Sequence, residues 1–235
     1  MNSRNFVNRR RILTLLLVAA GATIGARAQR FYSPDLAIGV RAGASVSNMA
    51  WQPAVRQSMT PGAMMGLTIR YTEEKYFGLV ADLMITQRGW AEKFEDTPEF
   101  RYRRQFTYVQ LPVMTHIYFG SPKFRGFVNL GPSVGYMIQD KITANFDYQN
   151  LSQVAHFPTG RRTEQLNMAV YRKVDYGITG GAGMELRVRR KHSFMIEARY
   201  YFGIGNVFSS KRGDTFGASR PNSIEASFAY LFRVK

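Results

Sequence analysis

Residues 175–189 read DYGITGGAGMELRVR, and taken two at a time they fall into two rows. Tyr176, Ile178, Ala182, Met184, Leu186 and Val188 make an apolar row, opposed by Gly177, Thr179, Gly181, Gly183, Glu185 and Arg187. A period of two marks a β-strand whose faces meet different surroundings. The same split recurs in 194–203, where Phe194, Ile196, Ala198, Tyr200 and Phe202 oppose Glu197, Arg199 and Tyr201. It recurs again in 223–234, where Ile224, Ala226, Phe228, Tyr230, Phe232 and Val234 oppose Ser223, Glu225, Ser227 and Arg233. Working back toward the amino terminus, 36–47, 63–71, 77–88, 106–119 and 127–138 alternate in the same way, which makes eight strands. Each suits the 9–11 tilted residues that a strand typically needs to cross a bilayer.

Alternation alone leaves the inward row undecided, because a soluble sandwich or a lipocalin places its apolar row in the core. Three features point to the inverted arrangement. The polar row is rich in Gly and Ser, which fits the crowded interior of an eight-stranded barrel. Its mid-strand charges balance, with Arg41, Arg70, Arg187 and Arg199 against Asp82, Glu185, Glu197 and Glu225, as buried charges must. Tyr and Phe stand near strand ends (Tyr71, Phe77, Tyr108, Phe119, Phe202, Phe232), where an interfacial girdle belongs. The expected fold is therefore all-β, an eight-stranded antiparallel up-and-down transmembrane β-barrel.

Connections alternate in length. Segments 72–76, 120–126 and 190–193 are short, whereas 48–62, 89–105, 139–174 and 204–222 are long. Outer-membrane barrels pair short periplasmic turns with long extracellular loops, so both termini are expected in the periplasm. The leader supports export: Arg4 and Arg9, Arg10 and Arg11 precede the apolar stretch 12–20, and Ala26-Arg27-Ala28 forms an A-x-A cleavage site. Residues 1–28 are thus expected to be a cleaved signal peptide and 29–235 the barrel domain. Without the five leader arginines the formal net charge falls from +16 to +11. Cysteine is absent, so thiolate chemistry and Cys-based metal sites are excluded.

The candidate functional residues are the eight lumen charges Arg41, Arg70, Asp82, Glu185, Arg187, Glu197, Arg199 and Glu225. They read as a salt-bridged plug rather than a conducting lumen, since a barrel of this size has little room beside its own side chains. Catalysis, cofactors and metals are not expected. His116, His156 and His192 fall on a strand, a long loop and a short turn, with no metal-ligand spacing. The glycines at 177, 180, 181 and 183 precede no helical pattern and read as small residues at a tight barrel bend. The basic residues are dispersed over several loops, which favours outer-membrane lipid head groups or surface sugar over nucleic acid, and no small-molecule substrate is expected.

Six segments carry a family resemblance: IGVRAGASVSNM (38–49), EKYFGLVADLMITQRGW (74–90), YVQLPVMTHIYFG (108–120), NLGPSVGYMIQDK (129–141), DYGITGGAGME (175–185) and EARYYFGIGNVF (197–208). Together they resemble the PorT family of Bacteroidetes outer-membrane barrels, most specifically in the run Gln87 to Trp90, the Leu111-Pro112 and Gly131-Pro132 pairs, and the run Arg199 to Gly203. The resemblance implies a non-enzymatic part in the type IX secretion system, with other secretion-machinery proteins as partners. The alternative is a free-standing surface barrel for adhesion or envelope stability; a small pore is a weaker third reading.

Overall fold

The computed structural model describes residues 34–234 apart from Asp96, Thr159 and Arg190. The expected signal peptide and its cleavage site lie outside the described residues. From the amino-terminal side the strands are β1 (Asp35–Gln52), β2 (Gln57–Ser58), β3 (Thr60–Thr72), β4 (Phe77–Glu92), β5 (Tyr102–Gly120), β6 (Phe124–Ala144), β7 (Val174–Val188), β8 (His192–Gly203) and β9 (Ala218–Arg233). Every pairing is antiparallel. Neighbours in sequence pair around the sheet, β1 pairs with β9, and β4 with β5 closes the ring. The two-residue β2 pairs with the last residues of β4, so it prolongs β3 across a break at Met59. Eight staves therefore form one cylinder, and closure leaves no sheet edge to seek a partner in lipid.

Burial follows the alternation, inside out. Leu67 is 54% exposed and Ile196 68%, whereas Arg41 and Glu197 are each 1% exposed. Outward aromatic side chains gather at two levels. Tyr71, Phe77, Phe119, Phe124 and Phe232 ring the end with the short turns, and Tyr136, Tyr176 and Phe202 the end with the long loops. Tyr108 is a correction to the expected girdle. It points into the barrel and is fully buried, because Phe106 and Gln110 flank it on the inward row beside a register shift between Thr107 and Tyr108.

The strands also outrun their expected bounds, by two or three residues at the turn end of β6 and β8 and chiefly at the loop end. β1 continues to Gln52, β4 to Glu92 and β6 to Ala144, while β5 begins at Tyr102 and β9 at Ala218. β5 has 19 residues and β6 has 21, about twice what a membrane crossing takes. The excess rises as a wall above the apolar belt. Within it the register shift falls on β6: Tyr108 opposes Met137 and Thr107 opposes Gln139, leaving Ile138 unopposed. Such an extra residue re-aims the side chains beyond it. Asp140 and Ile142 consequently share the inward side with Arg104, and Lys141 shares the outward side with Gln105.

The β7 glycines are a second correction. Gly177, Gly181 and Gly183 lie in unbroken register with β6 and β8, so no bend requires them. Volume does. A Cβ on Gly181 would come within 2.8 Å of Arg199 Cγ, and one on Gly183 within 2.5 Å of the Phe127 ring.

Candidate functional site: the charged lumen and its aromatic cap

Inward side chains stack in layers along the barrel axis. The central layer is a square of two arginines and two carboxylates. Arg41 Nη1 donates to Glu197 Oε2 at 2.7 Å, Arg199 Nη2 donates to the same oxygen at 2.9 Å, and Arg199 Nη1 donates to Asp82 Oδ2 at 2.6 Å. Arg41 Nε lies 3.6 Å from Asp82 Oδ2 and closes the square. Formal charge cancels within it, which is the condition for holding four ions out of water. Asn129 donates to Glu197 Oε1 at 2.6 Å and is itself bonded to the His116 ring at 2.7 Å, so His116 serves this layer.

Toward the turn end, Glu185 receives Arg70 Nη1 at 2.7 Å and Arg187 Nε at 2.9 Å, and Asp35 lies 3.5 Å from Arg187 and 3.2 Å from Arg233. Toward the loop end, Arg88 bridges Asp175 and Glu225, both at 3.3 Å, and also donates to Gln110. The Tyr201 ring lies 3.7 Å from the Arg88 guanidinium, a stacked cation–π contact.

The eight charges singled out from sequence all line this lumen or its rim, though not as one network. Arg41, Asp82, Glu197 and Arg199 meet in the square, and Arg70, Glu185 and Arg187 meet at the turn end. Glu225 pairs with none of the four named arginines; its partner is Arg88. Arg88 and Asp175 were missed, yet parity points to both: Arg88 shares its row with Asp82, and Asp175 with Glu185.

Above the Arg88 layer the lining turns apolar. Met49, Trp51, Trp90, Tyr102, Phe106 and Met137 from the strands meet Leu166, Val207, Phe208 and Phe216 from the loops in one buried cluster. Trp51 stacks on Phe208 with ring centroids 5.4 Å apart, and Trp90 stands edge-on to both, 5.2 Å from Trp51 and 5.9 Å from Phe208. The segment 145–173 is the lid of this cap. Tyr102 Oη donates to Leu166 O at 2.7 Å, Arg104 Nη1 to Met168 O at 2.7 Å, and Arg161 Nη2 to Glu92 Oε2 at 2.6 Å. Arg104 is neutralised by Asp140 at 2.6 Å and lies 4.9 Å over the Phe208 ring. Segment 89–105, expected as a long connection, is thus largely strand at both ends, and Trp90, Glu92, Phe94, Tyr102 and Arg104 are all buried.

A closed antiparallel cylinder with hydrocarbon outside and ions inside defines an integral β-barrel of the outer membrane. The chain belongs to the family described as outer membrane protein beta-barrel domain, whose model matches residues 27–209. No curated protein sequence matches it. Among solved structures it is similar to Ail, the attachment invasion locus protein of Yersinia pestis, in complex with the heparin analogue sucrose octasulfate, at 12% identity and TM-score 0.39, covering 85% of this chain and 97% of that one. It is also similar to the outer membrane protein OprG from Pseudomonas aeruginosa, at 12% identity and TM-score 0.48, covering 85% and 93%. Neisserial surface protein A matches at 11% identity and TM-score 0.45, covering 84% and 98%.

Proposed function

We propose that this barrel is sealed, non-conducting and non-enzymatic, that its turns and termini face the periplasm, and that it serves the type IX secretion system as a docking component. The observation that carries the sealed reading is the sequence of fillings along the axis: three layers of paired ions and then the aromatic cap. An ion crossing the lumen would have to break pairs such as Arg199–Asp82 at 2.6 Å and then part Trp51, Trp90 and Phe208. Two of the three histidines support the non-enzymatic reading, because His116 is buried against Asn129 and the His192 ring is bonded to Tyr230 Oη at 2.8 Å. The secretion role rests on the PorT-like segments.

Two experiments test these parts separately. In planar bilayers the purified protein is expected to give no stable conductance, and a large steady current would overturn the sealed barrel. Deleting the gene is expected to hold folded cargo inside the cell; unchanged export would remove the secretion role.

A surface-binding role is favoured by one feature. The cap holds a cleft of about 200 Å³ lined by Arg56, Lys93, Arg161 and Arg162 with Glu95. Trimming segment 145–173 should then abolish attachment and leave secretion untouched.

A further inference from the structure

The wall above the membrane carries its charge unevenly around the cylinder. On β5 and β6, the outward row beyond the apolar belt reads Gln105 and Arg103 on one strand, with Arg101 just before its first residue, and Lys141 and Thr143 on the other. Arg103 opposes Thr143 and Lys141 opposes Gln105, so the two cations are diagonal neighbours on the outer face. Lys141 owes that direction to the extra residue at Ile138, since an uninterrupted β6 would turn it inward. These side chains, with Arg101, line a cleft of about 410 Å³. Two of the carboxylates nearby are committed elsewhere: Asp140 faces inward to Arg104, and Glu92 at the rim of the cleft is bonded to Arg161 and Gln165.

Further round, beside β7 and the β8–β9 loop, Arg172 and Lys211 lie on the Tyr171 ring at 5.8 and 5.5 Å. Tyr171 and its neighbours Tyr176 and Ile204 are exposed and line a second cleft with those two cations. The wall across from β6 differs. The outward positions of β1 there are Asn48, Ala50 and Gln52, none of them charged, with the single cation Arg220 of β9 opposed to Ala50.

Height identifies the ligand. Lys141 is three residues past Ile138, roughly 10 Å along the strand at about 3.3 Å per residue. That places the cations beyond the hydrocarbon and at the level of lipid head groups, where outward-facing basic side chains meet phosphate. We propose that the β5–β8 arc is a clamp for the phosphate groups of the glycolipid in the outer leaflet, with Arg101, Arg103 and Lys141 at one end and Arg172 and Lys211 at the other. The clamp fixes which side of the barrel holds tightly bound lipid and leaves the β1–β3 side free for a protein neighbour. The leaflet assignment rests on the orientation proposed above.

The test uses full-length protein in phosphatidylethanolamine vesicles, with phosphorylated or dephosphorylated lipid A added. Wild-type protein should bind the phosphorylated form preferentially, read as co-purifying lipid and a raised unfolding temperature. The Arg103→Gln/Lys141→Gln variant should bind roughly 25-fold more weakly, at about fivefold per cation lost near an anionic surface. Arg103→Lys/Lys141→Arg should restore binding. Ala50→Glu/Gln52→Glu, which alters net charge by the same amount on the opposite wall, should bind as wild type. Equal binding by the Gln variant, equal loss in the opposite-wall control, or equal protection by free inorganic phosphate would overturn the clamp. Orientation is read independently by a membrane-impermeant thiol reagent on intact cells, since the chain lacks cysteine. Labelling of Ala155→Cys but not Glu74→Cys supports the outer leaflet, and the reverse pattern removes the leaflet assignment whatever the vesicles show.

Discussion

Between Val109 and Phe119, β5 turns hydrocarbon outward and polar groups inward; between Tyr102 and Phe106 the same strand turns Arg103 and Gln105 outward and buries Tyr102 and Phe106. Even-numbered residues face inward in both halves. What changes is the solvent on the far side. In the membrane half, lipid takes the apolar row and leaves Gln110 and His116 to the lumen, where each finds a hydrogen-bond partner. Above the belt, water surrounds the wall and the aromatic residues collect inside, as in a soluble protein. Two solvents thus build two cores in one cylinder, an ionic one below and an aromatic one above.

The largest expected effect falls on the ionic core. Arg199→Met leaves Asp82 and Glu197 sharing Arg41 alone, and removing one member of a buried set costs about 3–5 kcal/mol. Urea unfolding in vesicles should show that loss. Replacing Arg41, Asp82, Glu197 and Arg199 together by apolar residues should recover most of it, because no ion is then stranded. In the cap, Trp90→Ala should cost about 3 kcal/mol of local stability. Its readout is confined to the upper core: protease should cut within 145–173 while the folded barrel keeps its heat-modifiable gel mobility.

A matched pair of cations sharpens the boundary between the halves. Val113→Arg places a charge on the lipid face and should destabilise by about 2–4 kcal/mol. Gln105→Arg, on the same outward row above the belt, should leave the unfolding midpoint where it was. The smallest effect concerns Asp214, whose carboxyl accepts from Ser209 Oγ at 2.6 Å and from the Lys211 N–H at 2.7 Å. These bonds hold its pKa below the ordinary carboxylate range, the Ser209 bond contributing most. A depressed carboxyl stabilises the folded loop above its unfolded pKa and loses that contribution as pH falls through the folded value. Proteolysis of the exposed 209–214 turn should therefore rise slightly at acidic pH and stay flat around neutrality.

The lower core was legible in the sequence because lipid imposes a single rule there. A row of Leu, Ile and Val on each strand marks the outside, and every charge on the other row must find a partner. The upper core was not legible by that rule. Trp90, Tyr102 and Phe106 sit on the row that carries ions lower down, so a search for an apolar outer row ends each strand too early and assigns its continuation to loop. Lys141 was hidden by the extra residue at Ile138, which only pairing with β5 discloses. The segments behind the PorT resemblance map onto interior construction: Arg88 and Tyr201 form one layer, Arg199 another, and Trp90 the cap. They therefore speak strongly for the barrel, while partners have to be read from the wall and the loops.

Single-cysteine scanning of β5 from 102 to 118 tests the two-solvent account most directly, the native chain having no cysteine of its own. Spin labels at 109, 111, 113 and 117 should be reached by oxygen dissolved in lipid and not by a water-soluble relaxant, with 110, 114 and 116 shielded from both. Labels at 103 and 105 should be reached from water, with 102, 104 and 106 shielded. Water access at 110, 114 and 116, or lipid access at 103 and 105, would contradict it.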